Sequence, residues 1–247
     1  MKATLSQRSA DGTAATDDVV ILIDVDNTLL DNDRVIADLH EHLDADFGAE
    51  SARHYWTIFE SLRDELGYAD YLGALQRYRN EIEPGGASAY RLLSMSRFLI
   101  DYPFADRLYP RALETLAHLR RFGPVVVLSD GDVVFQPLKV LRSGIWNAVG
   151  GEVLIYLHKE KMLDAVQSRY PAHRYVMIDD KERILAAMKD VLEKRLVTVF
   201  PRQGHYAHDP ENRGRYPPAD CTIERIGDLI DLDVRALLGA PLQDKPS

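Results

Sequence analysis

The first strong hydrophobic pattern in the chain is an uninterrupted apolar run near the N-terminus. Residues 19–23 read Val-Val-Ile-Leu-Ile, and Asp24, Asp26 and Thr28 follow directly. A run without polar positions is typical of a strand that is covered on both faces, as in a parallel sheet. Carboxylates at its end need a partner or a cation, because a buried unpaired charge is costly. The alternative is an ordinary turn, in which Asp26 and Asn27 cap the next segment.

From about residue 33 to residue 104 the pattern is helical only. Apolar residues recur at spacings of three and four in four segments, and residues 83–86, Glu-Pro-Gly-Gly, break the chain before the last one. The segments begin near Val35, Tyr55, Tyr71 and Leu92. We therefore predict an all-helical insertion, called the cap below, over residues 33–104.

After residue 104 helical and apolar extended segments alternate. The pattern predicts helices over 110–122, 132–143, 161–170 and 181–189, and strands over 125–128, 152–156, 175–178 and 196–200. This order indicates an α/β protein with a Rossmann-like parallel sheet. We assign residues 18–32 and 105–247 to this core, residues 1–17 to a disordered leader, 203–220 to a surface loop and 223–238 to a closing helical segment.

Composition narrows the function classes. The chain has 247 residues, 46% of them hydrophobic, one cysteine and a net charge of −9. The length allows a sizeable core, and the acidic balance argues against nucleic-acid binding. One cysteine excludes an intramolecular disulfide framework. No run has the length of a membrane span and the N-terminus lacks an apolar signal segment, so we expect a cytoplasmic protein. We further expect a monomer or homodimer that acts on a small molecule.

Polar residues follow the predicted strands after the cap. Ser129 and Asp130 end the strand over 125–128, and Asp179 and Asp180 end the strand over 175–178, with Lys159 and Lys161 between them. Each group has an ordinary alternative, since Ser and Asp cap helices and lysine is usually solvated. Together, carboxylates, a hydroxyl and a lysine suit a divalent cation and a phosphoryl group, the combination that phosphoryl transfer needs.

These segments resemble the four motifs of the haloacid dehalogenase superfamily, over roughly residues 19–200. Residues 24–28, Asp-Val-Asp-Asn-Thr, match its first motif, and residues 127–132 with Ser129 are similar to the second. Lys159 resembles the family lysine, with Lys161 as the alternative, and residues 177–180 resemble the acidic fourth motif. The helical cap has the place and length of the family's cap.

The resemblance implies a role for each motif residue. Asp24 would be the nucleophile and Asp26 the general acid and base, with Thr28 orienting their loop. Ser129 and Lys159 would bind the phosphoryl oxygens. Mg²⁺ would bind the Asp24 carboxylate, the Asp26 backbone carbonyl and Asp180, with Asp179 as a further ligand or beside one.

The function implied is that of a Mg²⁺-dependent phosphomonoester hydrolase, which acts on a small phosphorylated metabolite through an aspartyl-phosphate. A phosphomutase or phosphotransferase would use the same residues. A non-catalytic binding protein would not need both Asp24 and Asp26. The superfamily's dehalogenases use one Asp and no metal, so Asp26 argues against that chemistry.

The sequence does not define the substrate. In such a fold the cap closes over the leaving group and selects it. The cap residues considered for this role are Arg53, His54, Tyr55, Arg77 and Tyr78, although each is more often an ordinary core or surface residue. His205 and His208 also raise the alternative of a separate metal site in the predicted loop, for which no further ligand is evident.

Overall fold

A computed structural model describes residues 19–81, 89–210, 212 and 214–239. The predicted leader and the break at residues 83–86 lie outside these ranges. The strands are β1 Val19–Ile23, β2 Val125–Asp130, β3 Val153–Tyr156, β4 Arg174–Ile178, β5 Leu196–Pro201 and β6 Cys221–Ile223.

The six strands form one parallel sheet in the order β3-β2-β1-β4-β5-β6. β1 is central, and Ile21 pairs with Val125 of β2 on one side and with Val176 of β4 on the other. Every residue of β1 is buried, as its apolar sequence predicts. The strands are parallel, so the residues that follow β1, β2 and β4 meet at one edge of the sheet.

The cap lies between β1 and β2 along the chain. Its helices are α1 Asn32–Phe47, α2 Ala49–Leu66, α3 Tyr71–Glu81 and α4 Ala89–Asp101. The periodic apolar residues Leu39, Tyr55, Tyr71 and Met95 are buried and belong to the same hydrophobic cluster as the central strand. The fold prediction, a Rossmann-like core with an inserted helical cap, is therefore confirmed, whereas the domain limits at 33 and 104 stay predictions.

The core helices are α5 Ala112–Leu119, α6 Phe135–Arg142, α7 Ile145–Ala148, α8 Leu163–Arg169, α9 Glu182–Leu192, α10 Gly204–His208 and α11 Val234–Gly239. Short 3-10 helices cover Phe104–Arg107, Lys159–Lys161, Glu193–Arg195 and Ile226–Ile230. None of the helices in the described ranges has the length and apolar character needed to cross a bilayer.

The two connections between cap and core run side by side. Leu30 and Leu108 form an isolated antiparallel bridge, and the Asp31 N–H donates to the Arg107 carbonyl at 2.8 Å. Asp38 of α1 accepts hydrogen bonds from Arg107 Nη2 at 2.7 Å and from the Tyr102 hydroxyl. This cluster of Asp38, Tyr102 and Arg107 joins the first cap helix to the chain that returns to the core, and we call it the hinge cluster.

Several predicted boundaries are wrong for local reasons. The first core helix begins at Ala112 because Arg111 is left-handed (φ 66°). α6 begins at Phe135, because Asp132 Oδ1 accepts from the N–H groups of Val134 and Phe135 at 2.7 and 2.6 Å. The predicted loop over 203–220 contains α10. The predicted closing helical segment begins inside the unpredicted strand β6 and continues as a 3-10 helix and α11.

Candidate active site

Asp24 lies at the sheet edge where the polar strand ends meet. The β1 strand delivers it there, and its N–H continues the ladder by donating to the Ile178 carbonyl at 3.0 Å. Its Oδ1 accepts from Lys159 Nζ at 2.5 Å and from Ser129 Oγ at 3.1 Å. Its Oδ2 is buried and has no hydrogen-bond partner among the described residues. One carboxylate oxygen is thus fixed, and the other has no partner in the part of the chain that the structure describes.

Of the two candidate lysines, Lys159 points into the site. Its backbone N–H donates to Asp130 Oδ1 at 2.7 Å, which fixes the short 3-10 helix against the end of β2. Its side chain is 1% exposed. Its Nζ lies 2.5 Å from Asp24 Oδ1 and 2.7 Å from Asp179 Oδ2. Lys161 is exposed at the rim. The Lys159 ammonium therefore bridges the ends of β1 and β4.

Three buried carboxylates form a cluster that can hold a metal ion. Asp24, Asp179 and Asp180 each place one oxygen within 4.8 Å of the others. Both Asp180 oxygens are buried without a hydrogen-bond partner in the described parts of the chain. Thr28 Oγ1 accepts the Asp180 N–H at 3.1 Å and so holds the two loops together. Unpartnered carboxylate oxygens are the ligands that a hard divalent cation prefers, and the residues present fit such an ion.

Burial and neighbouring charges set opposite pKa shifts within this cluster. Burial raises the pKa of Asp180 well above its usual range, and Asp179 and Asp24 add to the rise against the opposing charge of Lys181. Burial also acts to raise the pKa of Asp24, but the charges of Lys159 and Lys181 outweigh it and the pKa is lowered. The pKa values of Asp24 and Asp180 are therefore shifted in opposite directions, and a cation beside Asp180 would offset the cost of burying its charge.

The Asp26 carboxylate points away from this cluster. Its Oδ1 lies 2.7 Å from Lys139 Nζ, and its Oδ2 accepts from Gln136 Nε2 at 3.4 Å. It was predicted as a metal ligand through its backbone carbonyl, and its side chain does not take part in the group of three acids. The two aspartates of the first motif thus face different partners.

The capping alternative for this loop is realised at Asn27. Asn27 is left-handed (φ 58°), and its Oδ1 accepts from the N–H groups of Asn32 and Asp33 at 3.0 and 3.2 Å. Gly204 of α10 packs directly beneath it, where an added Cβ would stand 2.5 Å from Asn27 Cβ. The loop between Asp24 and α1 is thereby held against both α1 and α10.

A cleft of about 930 Å³ opens between the cap and these residues, with Asp26, Asp180 and Lys181 among its lining. The cap side consists mainly of rings and charges: Trp56, Phe59, Glu60, Arg63, Asp64, Tyr68 and Tyr71. The cap candidates from the sequence, Arg53, His54, Tyr55, Arg77 and Tyr78, do not line it. The ordinary alternative therefore applies to them, since Tyr55 donates to the Tyr71 carbonyl, Arg77 pairs with Glu65 and His54 pairs with Glu81.

The histidines of the predicted loop do not form a metal site with the described acids. His205 Nδ1 lies 2.6 Å from Asp33 Oδ1, and the backbone N–H of His205 donates to Asp33 Oδ2 at 2.7 Å. In the described ranges, the metal-capable group of acids contains no histidine. His205 instead fastens α10 to the first turn of α1.

Sequence reasoning missed Gln136, Lys139 and Lys181. Gln136 and Lys139 are buried on α6 beside the apolar Phe135 and Val140. The sequence signal available was a polar residue among the apolar positions of a predicted helix, which does not by itself name a partner. Lys181 follows the acidic pair directly, and it adds a second cation near Asp24 and Asp180 where only Lys159 was expected.

The fold and the site define an α/β protein with a buried aspartate at one edge of a parallel sheet. Comparison with known proteins identifies its family. The model of the haloacid dehalogenase-like hydrolase family matches residues 19–191, and the chain belongs to this family. A protein from Burkholderia xenovorans, whose crystal structure is described as that of a haloacid dehalogenase-like hydrolase, has 62% sequence identity to this chain. The two structures match over 90% of this chain and 99% of that one, with a TM-score of 0.83.

More distant structures share the fold. L-2-haloacid dehalogenase from Xanthobacter autotrophicus is 16% identical, with a TM-score of 0.59 and coverage of 90% of this chain and 99% of that one. YfnB from Bacillus subtilis, described as a haloacid dehalogenase-like (HAD) hydrolase with bound magnesium, is also 16% identical in sequence. The match has a TM-score of 0.55 and covers 87% of this chain and 100% of that one. A search of curated proteins gives no significant match.

Proposed function

We propose that the protein is a Mg²⁺-dependent phosphomonoesterase that works through an aspartyl-phosphate on Asp24. The observation that carries the proposal is the separation of the two aspartates. Asp24 lies with Lys159 and the acidic cluster, while Asp26 faces the cleft from the other side beside Lys139. Two carboxylates in unlike surroundings suit a nucleophile and a general acid and base.

The acidic cluster supports the metal part of the proposal. The Asp24 and Asp180 carboxylates would hold Mg²⁺, with Asp179 beside them and the Asp26 backbone carbonyl as a further donor. When bound, the ion supplies charge neutralisation for the phosphoryl oxygens and the attacking carboxylate. The unpartnered oxygens of Asp24 and Asp180 favour this assignment over a metal-free site.

The residues divide the reaction into two steps. In the first, an Asp24 oxygen attacks phosphorus and the ester oxygen leaves, taking the proton of Asp26. Lys159 and Ser129 hold the transferred oxygens from the side of Asp24. In the second, the Asp26 carboxylate accepts a proton from water, the water oxygen attacks phosphorus, and inorganic phosphate leaves with Asp24 restored.

The cleft supports a metabolite-sized leaving group. Its volume of about 930 Å³ is at the upper end of small-molecule sites and exceeds the needs of a phosphate or a short haloacid. Its cap wall carries aromatic rings from Trp56, Phe59 and Tyr71 together with Arg63. The substrate is therefore expected to bring a sizeable organic group under the cap.

The test is a panel of phosphomonoesters assayed for inorganic phosphate, with Mg²⁺ and with EDTA. We expect Mg²⁺-dependent release from at least one ester, and loss of that release in Asp24→Asn with the fold retained. Parallel assays follow chloride from L-2-chloropropionate and transfer of phosphate to added sugar acceptors. Halide release without metal would overturn the proposal and identify a dehalogenase. Transfer of phosphate to the acceptor, without release of inorganic phosphate, would identify a phosphotransferase.

A further inference from the structure

Helix α6 sends two buried polar side chains into the site from outside the family-like motifs. Lys139 is 2% exposed, and its Nζ lies 2.7 Å from Asp26 Oδ1 and 2.9 Å from Asn32 Oδ1. Gln136, one turn earlier, donates through Nε2 to Ser129 Oγ at 3.0 Å and to Asp26 Oδ2 at 3.4 Å. Residues three apart on a helix share a face, so both reach the same carboxylate.

A purely structural role does not account for a lysine at this place. Its neighbours Phe135 and Val140 are apolar and buried, and an aliphatic residue would pack there without the cost of burying an ammonium. The ammonium also lies over the Phe135 ring, 5.3 Å from its centroid, and its hydrogen bonds go to Asp26 and Asn32. Both acceptors belong to the stretch that links the nucleophile to the cap.

A second pull acts on Asp26. It follows Asp24 by two residues, and a cation bound by Asp24 and Asp180 would attract a further carboxylate into its coordination sphere. An acid drawn there would no longer meet the leaving group. Lys139 and Gln136 hold both oxygens of Asp26 on the cleft side and so oppose this movement.

We propose that Lys139, assisted by Gln136, is a positioning residue that keeps the Asp26 carboxylate on the leaving-group side of the site. Through Asn32, the first residue of α1, the same ammonium ties this position to the cap. The inference rests on the proposed function, since it takes Asp26 as the general acid.

The experiment is a double-mutant cycle of Lys139→Met with Asp26→Asn, measured on an alkyl and an aryl phosphate. We expect Lys139→Met to lower kcat for the alkyl ester by about 10- to 100-fold, the scale of a misplaced catalytic group. The aryl ester, which needs less protonation, should lose less, and KM should change little. In the Asp26→Asn background, Lys139→Met should cost almost nothing further, because its action passes through Asp26.

Two further variants make the result specific. Arg142 lies on the same helix as Lys139 and forms an exposed ion pair with Asp101 of α4. Arg142→Met removes that ion pair and should leave kcat unchanged. Lys139→Gln keeps a hydrogen-bond donor and should recover part of the alkyl-ester rate, and it replaces Lys139→Met in the cycle if the latter does not fold. Equal losses with and without Asp26, or an unaltered alkyl-ester kcat, would overturn the positioning role. A wild-type protein that releases no phosphate from any ester refutes the proposed function, and the inference with it.

Discussion

At the scale of single residues, the site is organised by which cation stands beside which carboxylate. Asp24 has Lys159 within 2.5 Å, Asp26 has Lys139 within 2.7 Å, and Asp180 has no hydrogen-bond partner for either oxygen among the described residues. The three acids therefore lie in different chemical surroundings although each is the same residue type, and the proposed function gives each a different role.

The first prediction concerns Asp26, the proposed proton donor. Asp26→Asn should slow alkyl-ester hydrolysis by about 10²–10⁴-fold, the usual worth of general acid–base catalysis. Aryl phosphates should lose less in the phosphorylation step, because their leaving groups need little protonation. Steady-state and single-turnover assays on both ester types measure the difference. Asp24→Asn is the control, since it should abolish turnover of both, and equal penalties for both esters in Asp26→Asn would remove Asp26 from this role.

The second prediction concerns Asp180, the proposed metal ligand. Burial raises the pKa of Asp180, so its ionised form destabilises the metal-free fold above the unfolded pKa near 3.8. Asp180→Asn should therefore raise the melting temperature without metal at pH 7 and remove the further rise caused by millimolar Mg²⁺. For the wild type, that rise corresponds to about 2.7 kcal/mol when Mg²⁺ exceeds its Kd a hundredfold.

Ser129→Ala is the control for this measurement, because Ser129 is assigned to phosphate. Calorimetry on the three proteins, with Mg²⁺ and with EDTA, gives the comparison. A wild-type melting temperature that does not respond to Mg²⁺ would contradict the assignment of the cluster to a metal.

At the scale of elements, the hinge cluster binds α1 to the returning chain. Burial acts to raise the pKa of Asp38, but hydrogen bonds from Tyr102 and Arg107 outweigh it and the pKa is lowered. Burial and the bond to Asp38 raise the pKa of Tyr102 to about 12, so the phenol stays a donor at neutral pH. The stabilisation is thus a property of ionised Asp38.

Asp38→Asn should lower the free energy of unfolding by about 1–3 kcal/mol at pH 7, the worth of hydrogen bonds to a charged group. A depressed folded pKa means that the contribution is complete above the unfolded value of 3.8 and is lost as pH falls through the folded value. Urea titrations should therefore show a constant difference between pH 7 and pH 5 and a shrinking one below pH 4. The exposed Asp101→Asn is the control, and a difference that grows on acidification would contradict the argument.

The docking of α10 gives a prediction for a pair of glycines. Gly204 (φ +70°) and Gly150 (φ +68°) have the same left-handed backbone, so alanine at either should cost about 1–2 kcal/mol in strain. Only at Gly204 does the new Cβ meet Asn27, 2.5 Å away, whereas the nearest atom at Gly150 is a flexible Arg120 nitrogen at 3.7 Å. Thermal melts should therefore show a larger loss of stability for Gly204→Ala than for Gly150→Ala. Assays of phosphate release should show a loss of activity for Gly204→Ala and none for Gly150→Ala.

At the scale of the whole molecule, sequence patterns located the strands that build the site. The apolar runs of β1, β2 and β4 end in Asp24, Ser129 and Asp179, and parallel pairing brings such ends together wherever they lie in the chain. β6 was not predicted because three residues beside a single partner strand, Cys221–Ile223, carry too little alternation. The short 3-10 segments are likewise too brief for a period to show.

The side chains that escaped prediction are those whose function depends on tertiary contact. Lys139 faces Asp26 across 113 residues of sequence, and no local rule links the two. Arg63 and Tyr68 line the cleft, whereas Arg53 and Arg77 do not, because helix rotation within the cap decides which face meets the core. Pattern reasoning therefore finds strand ends and misses helix faces.

The position of β1 at the centre of the sheet also has a consequence for how the chain acquires its structure. β1 is synthesised before both of its neighbours in the sheet, since β2 and β4 follow roughly 100 and 150 residues later. Contacts so distant in sequence must close long loops before they contribute, which slows folding. Until then Val19–Ile23 is an unpaired apolar segment of the kind that recruits other chains. This segment of the nascent polypeptide is therefore an aggregation hazard until β4 has left the ribosome.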